Sequence, residues 1–312
     1  MRVFLAGATG VVGVRVARML AARGDHVTAV GRTEEKRALL RGLGAEAVAV
    51  ELFDRDAVRR AVAGHDVVIN LATAVPPSPT RMFLPGAWRE MDRVRRRVSA
   101  NLVSGVLSGD AVGRVIQESF APIHADAGDA WITEEMPVRP ARYNRSVLDA
   151  EAQARRFTEA GRVGVVLRFG AFYGPGDALT RQLIGTVRRG WAPFLGAPEG
   201  YQSFIAHDDA ASAVVAALAV PPGVYNVVED GPMRRRELAD GIARLAGAPP
   251  PRFMPGWTRH LAGSLGETLA RSLRISNRRF RAAAGWSPRW PTTLDGLRAI
   301  VDEARGGSES SG

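Results

Sequence analysis

Residues 2–13 of the chain read RVFLAGATGVVG. A strand-like apolar run comes first, glycines follow at regular spacing, and an apolar segment with helical character continues from position 11. Strand, glycine-rich turn and helix in this order predict a phosphate-binding turn, because glycines let the backbone approach a pyrophosphate while the helix N-terminus presents free N–H groups. We therefore expect a dinucleotide site built from Gly7, Thr9, Gly10, Val11 and Gly13.

Short apolar strands alternate with helices through the first half of the chain. The predicted strands are Arg2–Ala6, His26–Val30, Ala47–Leu52, Asp66–Leu71, Arg114–Glu118 and Val163–Phe169. The predicted helices are Val11–Arg23, Glu34–Gly42, Asp56–Ala63, Trp88–Leu107 and Asn144–Ala160. This alternation is typical of βαβ units around a parallel sheet covered on both faces. The predicted fold class is α/β, a Rossmann-type doubly wound parallel sheet.

The organisation of the chain changes after Gly170, where proline and glycine interrupt shorter segments. We predict a dinucleotide-binding domain over residues 1–170 and a smaller C-terminal substrate-binding region over 171–305, from which a strand could return to the sheet. The tail 306–312 reads GGSESSG and is predicted to be disordered, because it lacks core-forming residues. Arginines of the helix predicted from Trp88 are expected to form a solvated face: Arg89, Arg93, Arg95, Arg96 and Arg97.

Composition excludes several classes of function. The chain has no cysteine, which rules out disulfides and thiolate metal sites. The net charge is +10, and nearly all the basic residues are arginines, since Lys36 is the only lysine. A surface that binds single-stranded nucleic acid would have aromatic residues interleaved with these arginines, and the sequence does not show that pattern. We expect a small-molecule substrate, no metal, no nucleic acid and no membrane partner. A cytoplasmic location and a monomer or homodimer are further expectations.

Two positions after later strands bear on the choice of cofactor. The second strand is followed by Gly31 and Arg32 rather than by a carboxylate. An arginine there pairs with a ribose 2′-phosphate, so we expect NADP(H), with additional charge from Lys36 and Arg37. Asp54 follows the third strand and has two open interpretations: an acceptor for the adenine amino group, or the N-cap of the next helix.

Several motifs together resemble the extended short-chain dehydrogenase/reductases, the superfamily that includes sugar-nucleotide epimerases. The motifs lie along almost the whole chain: GATGVVG at 7–13, NLAT at 70–73, Arg168 with YGP at 173–175, FIAHDD at 204–209, GVYNV at 223–227 and GWSP at 285–288. The resemblance implies a nicotinamide cofactor and adds Leu71 and Ala72 to the residues expected to contact it.

The resemblance also implies a catalytic tyrosine, with a lysine four residues later and a serine upstream. Tyr143 matches the tyrosine and Ser119 is the candidate serine, but Val147 occupies the lysine position. That lysine would lower the pKa of the phenol, so without it the tyrosine is a poor base while a neutral phenol can still donate a proton. Structural roles for Tyr143 and Ser119 are the alternatives, and His124 is a further candidate proton donor.

The expected activity is therefore NADPH-dependent reduction of a ketone on a bulky, aromatic or polyketide-like substrate. The proline-rich loop with Met82, Phe83 and Trp88 is expected to line an apolar pocket. Two alternatives stay open: a sugar-nucleotide epimerase or dehydratase, which needs an oxidation step first, and a catalytically silent NADP(H)-binding regulator.

Overall fold

The computed structural model describes residues 1–76, 82, 84, 86–261 and 263–309. Its centre is a sheet of seven strands, all neighbours being parallel. They are β1 (Arg2–Ala6), β2 (His26–Val30), β3 (Glu46–Val48), β4 (Val67–Asn70), β5 (Arg114–Phe120), β6 (Val163–Phe169) and β7 (Gly223–Val227). Their order across the sheet is β7-β6-β5-β4-β1-β2-β3. The predicted fold class is confirmed.

Helices cover both faces of this sheet and continue into the C-terminal region. In chain order they are α1 (Gly13–Ala22), α2 (Glu34–Gly42), α3 (Arg55–Val62), α4 (Arg89–Arg93), α5 (Ser99–Leu107), α6 (Val147–Glu159), α7 (Ala178–Arg188), α8 (His207–Ala216), α9 (Arg235–Ala246), α10 (Thr258–Leu261), α11 (Gly263–Leu269), α12 (Arg278–Ala284) and α13 (Thr293–Glu309). Among the described residues, every helix is too short or too polar to cross a membrane.

Alternating strand residues form two cores because successive side chains point to opposite faces of a sheet. On one face Val3, Leu5 and Ile69 belong to a buried cluster that includes residues of α1 and α8. On the other face Phe4 and Val68 belong to a cluster that includes residues of α3, α5 and α6. The carboxyl ends of β1, β4 and β5 meet at one edge, where an open α/β sheet binds its ligands.

A third core belongs to the C-terminal region. It combines a strand residue with residues of α7, α9 and α13: Tyr173, Leu183, Leu238, Ile242 and Leu297. Short two-residue and three-residue strands form three further pairs. Two pairs lie within this region: Ala171–Tyr173 with Phe204–Ala206, and Tyr201–Gln202 with Met233–Arg234. The third, Arg274–Ile275 with Trp131–Ile132, joins the region to the part of the chain before Gly170. The region also returns β7 to the main sheet beside β6, an option that the sequence left open.

Several predicted boundaries are corrected by the structure. The third strand ends at Val48 rather than Leu52, because its only partner, β2, ends at Val30, opposite Val48. The helix predicted from Trp88 to Leu107 is interrupted by a π-helical turn at Val94–Val98 that joins α4 to α5. The last helix runs to Glu309, so residues 306–309 are helical instead of disordered, and 310–312 lie outside the described residues.

Candidate functional site

The glycine turn is built so tightly that two of its glycines have no room for a side chain. A Cβ atom on Gly7 would lie 2.3 Å from the carbonyl carbon of Leu71 and 2.5 Å from the nitrogen of Ala72, and Gly7 has a φ of 78°. A Cβ on Gly13 would lie 2.1 Å from the carbonyl oxygen of Gly7. The turn, the start of α1 and the end of β4 are therefore in contact, which brings Leu71 and Ala72 to the predicted site.

The outer side of the same turn is open. Gly10 and Val11 are exposed, Val11 by 50 %, and Thr9 is half-buried. The α1 helix begins after Val12 without a side-chain cap and without an acidic residue in its first turn, so its N-terminal N–H groups and positive dipole end are available to an anion. A crowded inner side and an uncapped, exposed outer side fit a dinucleotide pyrophosphate.

The cations after β2 have different surroundings. Arg32 is exposed, and no hydrogen bond or ion pair engages it within the described part of the chain. Arg37 is already engaged: it donates from Nη1 to the carbonyl oxygen of Gly31 at 3.1 Å and forms an ion pair with Glu34 at 2.8 Å. Arg32 and the half-buried Lys36 are therefore the side chains available for a 2′-phosphate.

Asp54 is the N-cap of α3, which is one of the two roles that the sequence left open for it. Its Oδ1 accepts hydrogen bonds from the backbone N–H groups of Ala57 at 3.0 Å and Asp56 at 2.9 Å. The Ala57 N–H in particular holds the pKa of this carboxyl below its usual range. Because Oδ1 accepts both of these bonds, contact of Oδ2 with adenine stays a prediction.

Tyr143 lies on the 3₁₀ turn Arg142–Asn144, just before α6. Its ring packs on the indole of Trp88, with the centroids 4.8 Å apart, and the Trp88 Nε1–H donates to the carbonyl oxygen of Met82 at 2.9 Å. Burial raises the pKa of Tyr143 to about 12, although Thr268, Arg95 and Arg271 act in the opposite direction. Trp88 of the predicted loop therefore lies against the tyrosine, Phe83 lies outside the described residues, and the apolar pocket itself stays a prediction.

A buried valine occupies the position where the resemblance implies a lysine. This residue, Val147, is the first of α6 and is 0 % exposed. Burial, the largest cause, holds the pKa of the Tyr143 phenol above its ordinary value, so the phenol stays protonated at neutral pH.

Ser119 belongs to a buried ionic network. Its hydroxyl donates to Oε1 of Glu151 at 2.5 Å, and Arg168 donates to both oxygens of that carboxylate at 2.8 Å. Ser119 is 0 % exposed. The structure therefore does not present this hydroxyl to a substrate, in contrast to the predicted catalytic role, because a carboxylate on α6 holds it inside the protein.

His124 belongs to the inner part of the same network. It is fully buried, with Nε2 at 3.4 Å from Oδ1 of Asn226 and 3.5 Å from Nη1 of Arg168. Burial first, and then the charge of Arg168, lower its pKa to about 4. At neutral pH the imidazole is therefore mostly neutral, and its remaining N–H is a very weak acid, so this environment does not favour His124 as a proton donor.

Arg95 and Glu118 were missed as site residues by the sequence reasoning. Arg89, Arg93, Arg96 and Arg97 are exposed as predicted, but Arg95 on the π turn is buried. Its Nη2 lies 3.6 Å from Oε1 of Glu118 near the end of β5, and the side chains are only 6 % and 11 % exposed. Burial raises the pKa of Glu118, and Arg95 opposes this. The strand that carries Glu118 also contains Arg114, Gln117 and Ser119, so the sequence carries no clear signal for this pair.

Two relatives that match this chain over nearly its whole length are both named as reductases. The chain is 34 % identical over 310 residues to a 3-diazoavenalumate denitrifying reductase from a Streptomyces species, with 95 % of this chain and 99 % of the relative covered. It is 25 % identical over 311 residues to a 2-alkyl-3-oxoalkanoate reductase from Stenotrophomonas maltophilia, with 93 % and 91 % covered.

A solved structure extends the likeness to the fold. A human epimerase family protein, solved with NADPH, superposes with a TM-score of 0.80 at 21 % identity and covers 97 % of this chain and 99 % of its own. Residues 3–227, which include the glycine turn, Tyr143 and the seven sheet strands except Arg2 of β1, match the sequence profile of the NAD dependent epimerase/dehydratase family. The chain is a member of that family of nicotinamide-binding, Rossmann-type enzymes.

Proposed function

We propose that this protein is an NADPH-dependent reductase of an aromatic substrate, with a diazo group as the favoured electrophile. The glycine turn would hold the pyrophosphate, and Arg32 with Lys36 would hold the 2′-phosphate, which favours NADPH over NADH. When bound, the reduced dinucleotide supplies a hydride. The substrate would lie against Trp88 and Tyr143, whose rings are in contact.

The observation that carries the proposal is the poor proton relay around Tyr143. The phenol has a pKa of about 12, Val147 stands where a lysine would be, and Ser119 is engaged by Glu151. Oxidation of an alcohol needs a base, and a phenol with this pKa is protonated at neutral pH. The same feature disfavours an epimerase or dehydratase, whose cycle begins with oxidation.

Reductive loss of a diazo group suits such a site. In an arenediazonium ion the C–N bond breaks, its electron pair leaves with dinitrogen, and the incoming hydride brings the pair that forms the new C–H bond. Arenediazonium and hydride thus give arene and dinitrogen, and no proton is consumed. The relative at 34 % identity, named as a denitrifying reductase of a diazo compound, supports this choice of electrophile.

The test is turnover with a diazotised 3-amino-4-hydroxycinnamate in the presence of NADPH, with a protein-free reaction as control. We expect NADPH oxidation, dinitrogen release in equal amount, and deuterium at the former diazo carbon when NADPH deuterated at C4 is used. NADPH binding without dinitrogen release beyond the control would contradict the proposal and favour a silent NADP(H)-binding regulator.

Ketone reduction is the second candidate. A neutral Tyr143 can donate the proton that a ketone consumes, and the relative named as an oxoalkanoate reductase supports this chemistry. A panel of aromatic ketones assayed with the wild-type protein and with Tyr143→Phe separates the two candidates. Ketone reduction should fall at least about tenfold in the variant, whereas diazo reduction should change little, because only the ketone needs the proton.

A further inference from the structure

Arg95 and Glu118 form a buried pair in which neither side chain has completed its hydrogen bonds. The closest approach, from Nη2 to Oε1, is 3.6 Å and so lies beyond hydrogen-bond distance. Within the described part of the chain, Nε of Arg95 and Oε2 of Glu118 are buried and have no hydrogen-bond partner. Buried polar atoms are almost always paired, so an unused donor on one member of this pair and an unused acceptor on the other point to a ligand.

Arg95 and Glu118 lie on elements near Tyr143. Arg95 lies on the π turn that follows α4, and Trp88 stacks on Tyr143 immediately before α4 begins. The charge of Arg95 acts on the phenol of Tyr143 and lowers its pKa, against the larger effect of burial. Glu118 lies near the carboxyl end of β5, at the edge where the sheet binds ligands. π-helical turns are frequent at functional sites.

We propose that Arg95 and Glu118 recognise an aromatic hydroxyl group of the substrate. A hydroxyl both donates and accepts, so its hydrogen would go to Oε2 of Glu118 while its oxygen accepts from Nε of Arg95. Glu118 repels a carboxylate at this position and Arg95 repels an ammonium group, which leaves a neutral hydroxyl as the best match. The inference rests on the proposed function in placing the substrate ring against Trp88 and Tyr143.

Binding of two stable rings by the NADP⁺-loaded protein tests this independently of turnover. Isothermal titration with p-hydroxycinnamate and unsubstituted cinnamate isolates the hydroxyl, since both carry the same carboxylate and the second adds no bulk. We expect the wild-type protein to prefer the hydroxyl compound by about tenfold to a hundredfold, the range for hydrogen bonds to buried charged groups. Arg95→Met should reduce this preference to about twofold or less.

Controls separate recognition from folding. Arg96→Met removes the neighbouring arginine, which forms an exposed ion pair with Asp149 at 2.9 Å, and should keep the wild-type preference. Should Arg95→Met fail to fold, the double variant Arg95→Met with Glu118→Leu avoids an unpaired buried charge and should fold without the preference.

The proposal is overturned if the wild-type protein binds the two rings equally or binds neither of them. It is also overturned if a folded Arg95→Met or double variant, with unchanged NADP⁺ affinity, keeps the wild-type ratio. Failure of the proposed reductase activity would appear separately, as absence of NADPH oxidation with intact preference for the hydroxyl ring.

Discussion

Arg32 and Lys36 lie where β2 passes into α2, close to the glycine turn because β1 and β2 are neighbours in the sheet. Arg37, by contrast, is engaged by Glu34 and by the carbonyl of Gly31. The sequence could predict that a cation follows β2. It could not predict which of the three is available, because this depends on side-chain pairing within the first turn of α2.

Arg32→Ala should weaken NADPH binding by about tenfold, the loss of one charge-assisted contact, and leave NADH binding unchanged. Fluorescence titration with each cofactor measures both constants. Arg41→Ala is the matched control, since Arg41 lies on the same helix and pairs with Glu34. Equal losses for the two cofactors would remove the assignment of Arg32 to the 2′-phosphate.

Ser119→Ala should affect stability more than turnover, because the hydroxyl is buried against Glu151. We expect the free energy of unfolding to fall by about 1 kcal/mol, with the rate of NADPH oxidation within about twofold of wild type. Denaturant unfolding and steady-state assays measure the two quantities. A large loss of kcat in a variant of normal stability would show that Ser119 acts in the reaction after all.

At the level of elements, β5, β6 and α6 are joined by the carboxylate of Glu151. Arg168 on β6 and Ser119 on β5 both donate to it from buried positions. The strand and helix periodicity of the sequence predicted these elements with nearly correct bounds. The ionic junction between them was not predictable, because it depends on which side chains of separate segments meet across the sheet.

Removal of one partner from this junction should be costly. Arg168→Met leaves the Glu151 carboxylate buried without its bidentate donor, and we expect a loss of about 3–5 kcal/mol in the free energy of unfolding. The double variant Arg168→Met with Glu151→Leu should recover most of that loss, since no buried charge is left. Chemical denaturation of the three proteins measures this, and a single variant as stable as wild type would contradict it.

For the whole molecule, the C-terminal region is attached to the sheet through Glu229, just beyond β7. The hydroxyl of Thr293 at the start of α13 donates to its Oε2 at 2.7 Å. Burial raises the pKa of Glu229 to about 8, while Thr293 and Tyr173 lower it and Asp209 raises it. Composition and motifs predicted a distinct C-terminal region, but a buried carboxyl at its junction with the sheet depends on long-range packing.

Stability should therefore depend on pH at this junction. Glu229 binds a proton more tightly in the folded chain than in the unfolded chain, so its stabilising contribution is complete below about pH 4.5 and is lost as pH rises through about 8. Glu229→Gln should flatten this part of the profile of Tm against pH. A variant with the same slope as wild type would assign the pH dependence to other groups.

The π turn at Val94–Val98 has a consequence for how specificity can change in related chains. A turn of this kind holds one residue more than an α-helical turn, so it is an insertion kept inside a helix. Deletion of one residue there would rotate every preceding side chain relative to α5, and the buried arginine would turn toward solvent. With the role proposed for Arg95, the length of this helix as well as its residues would determine which group of the substrate is recognised.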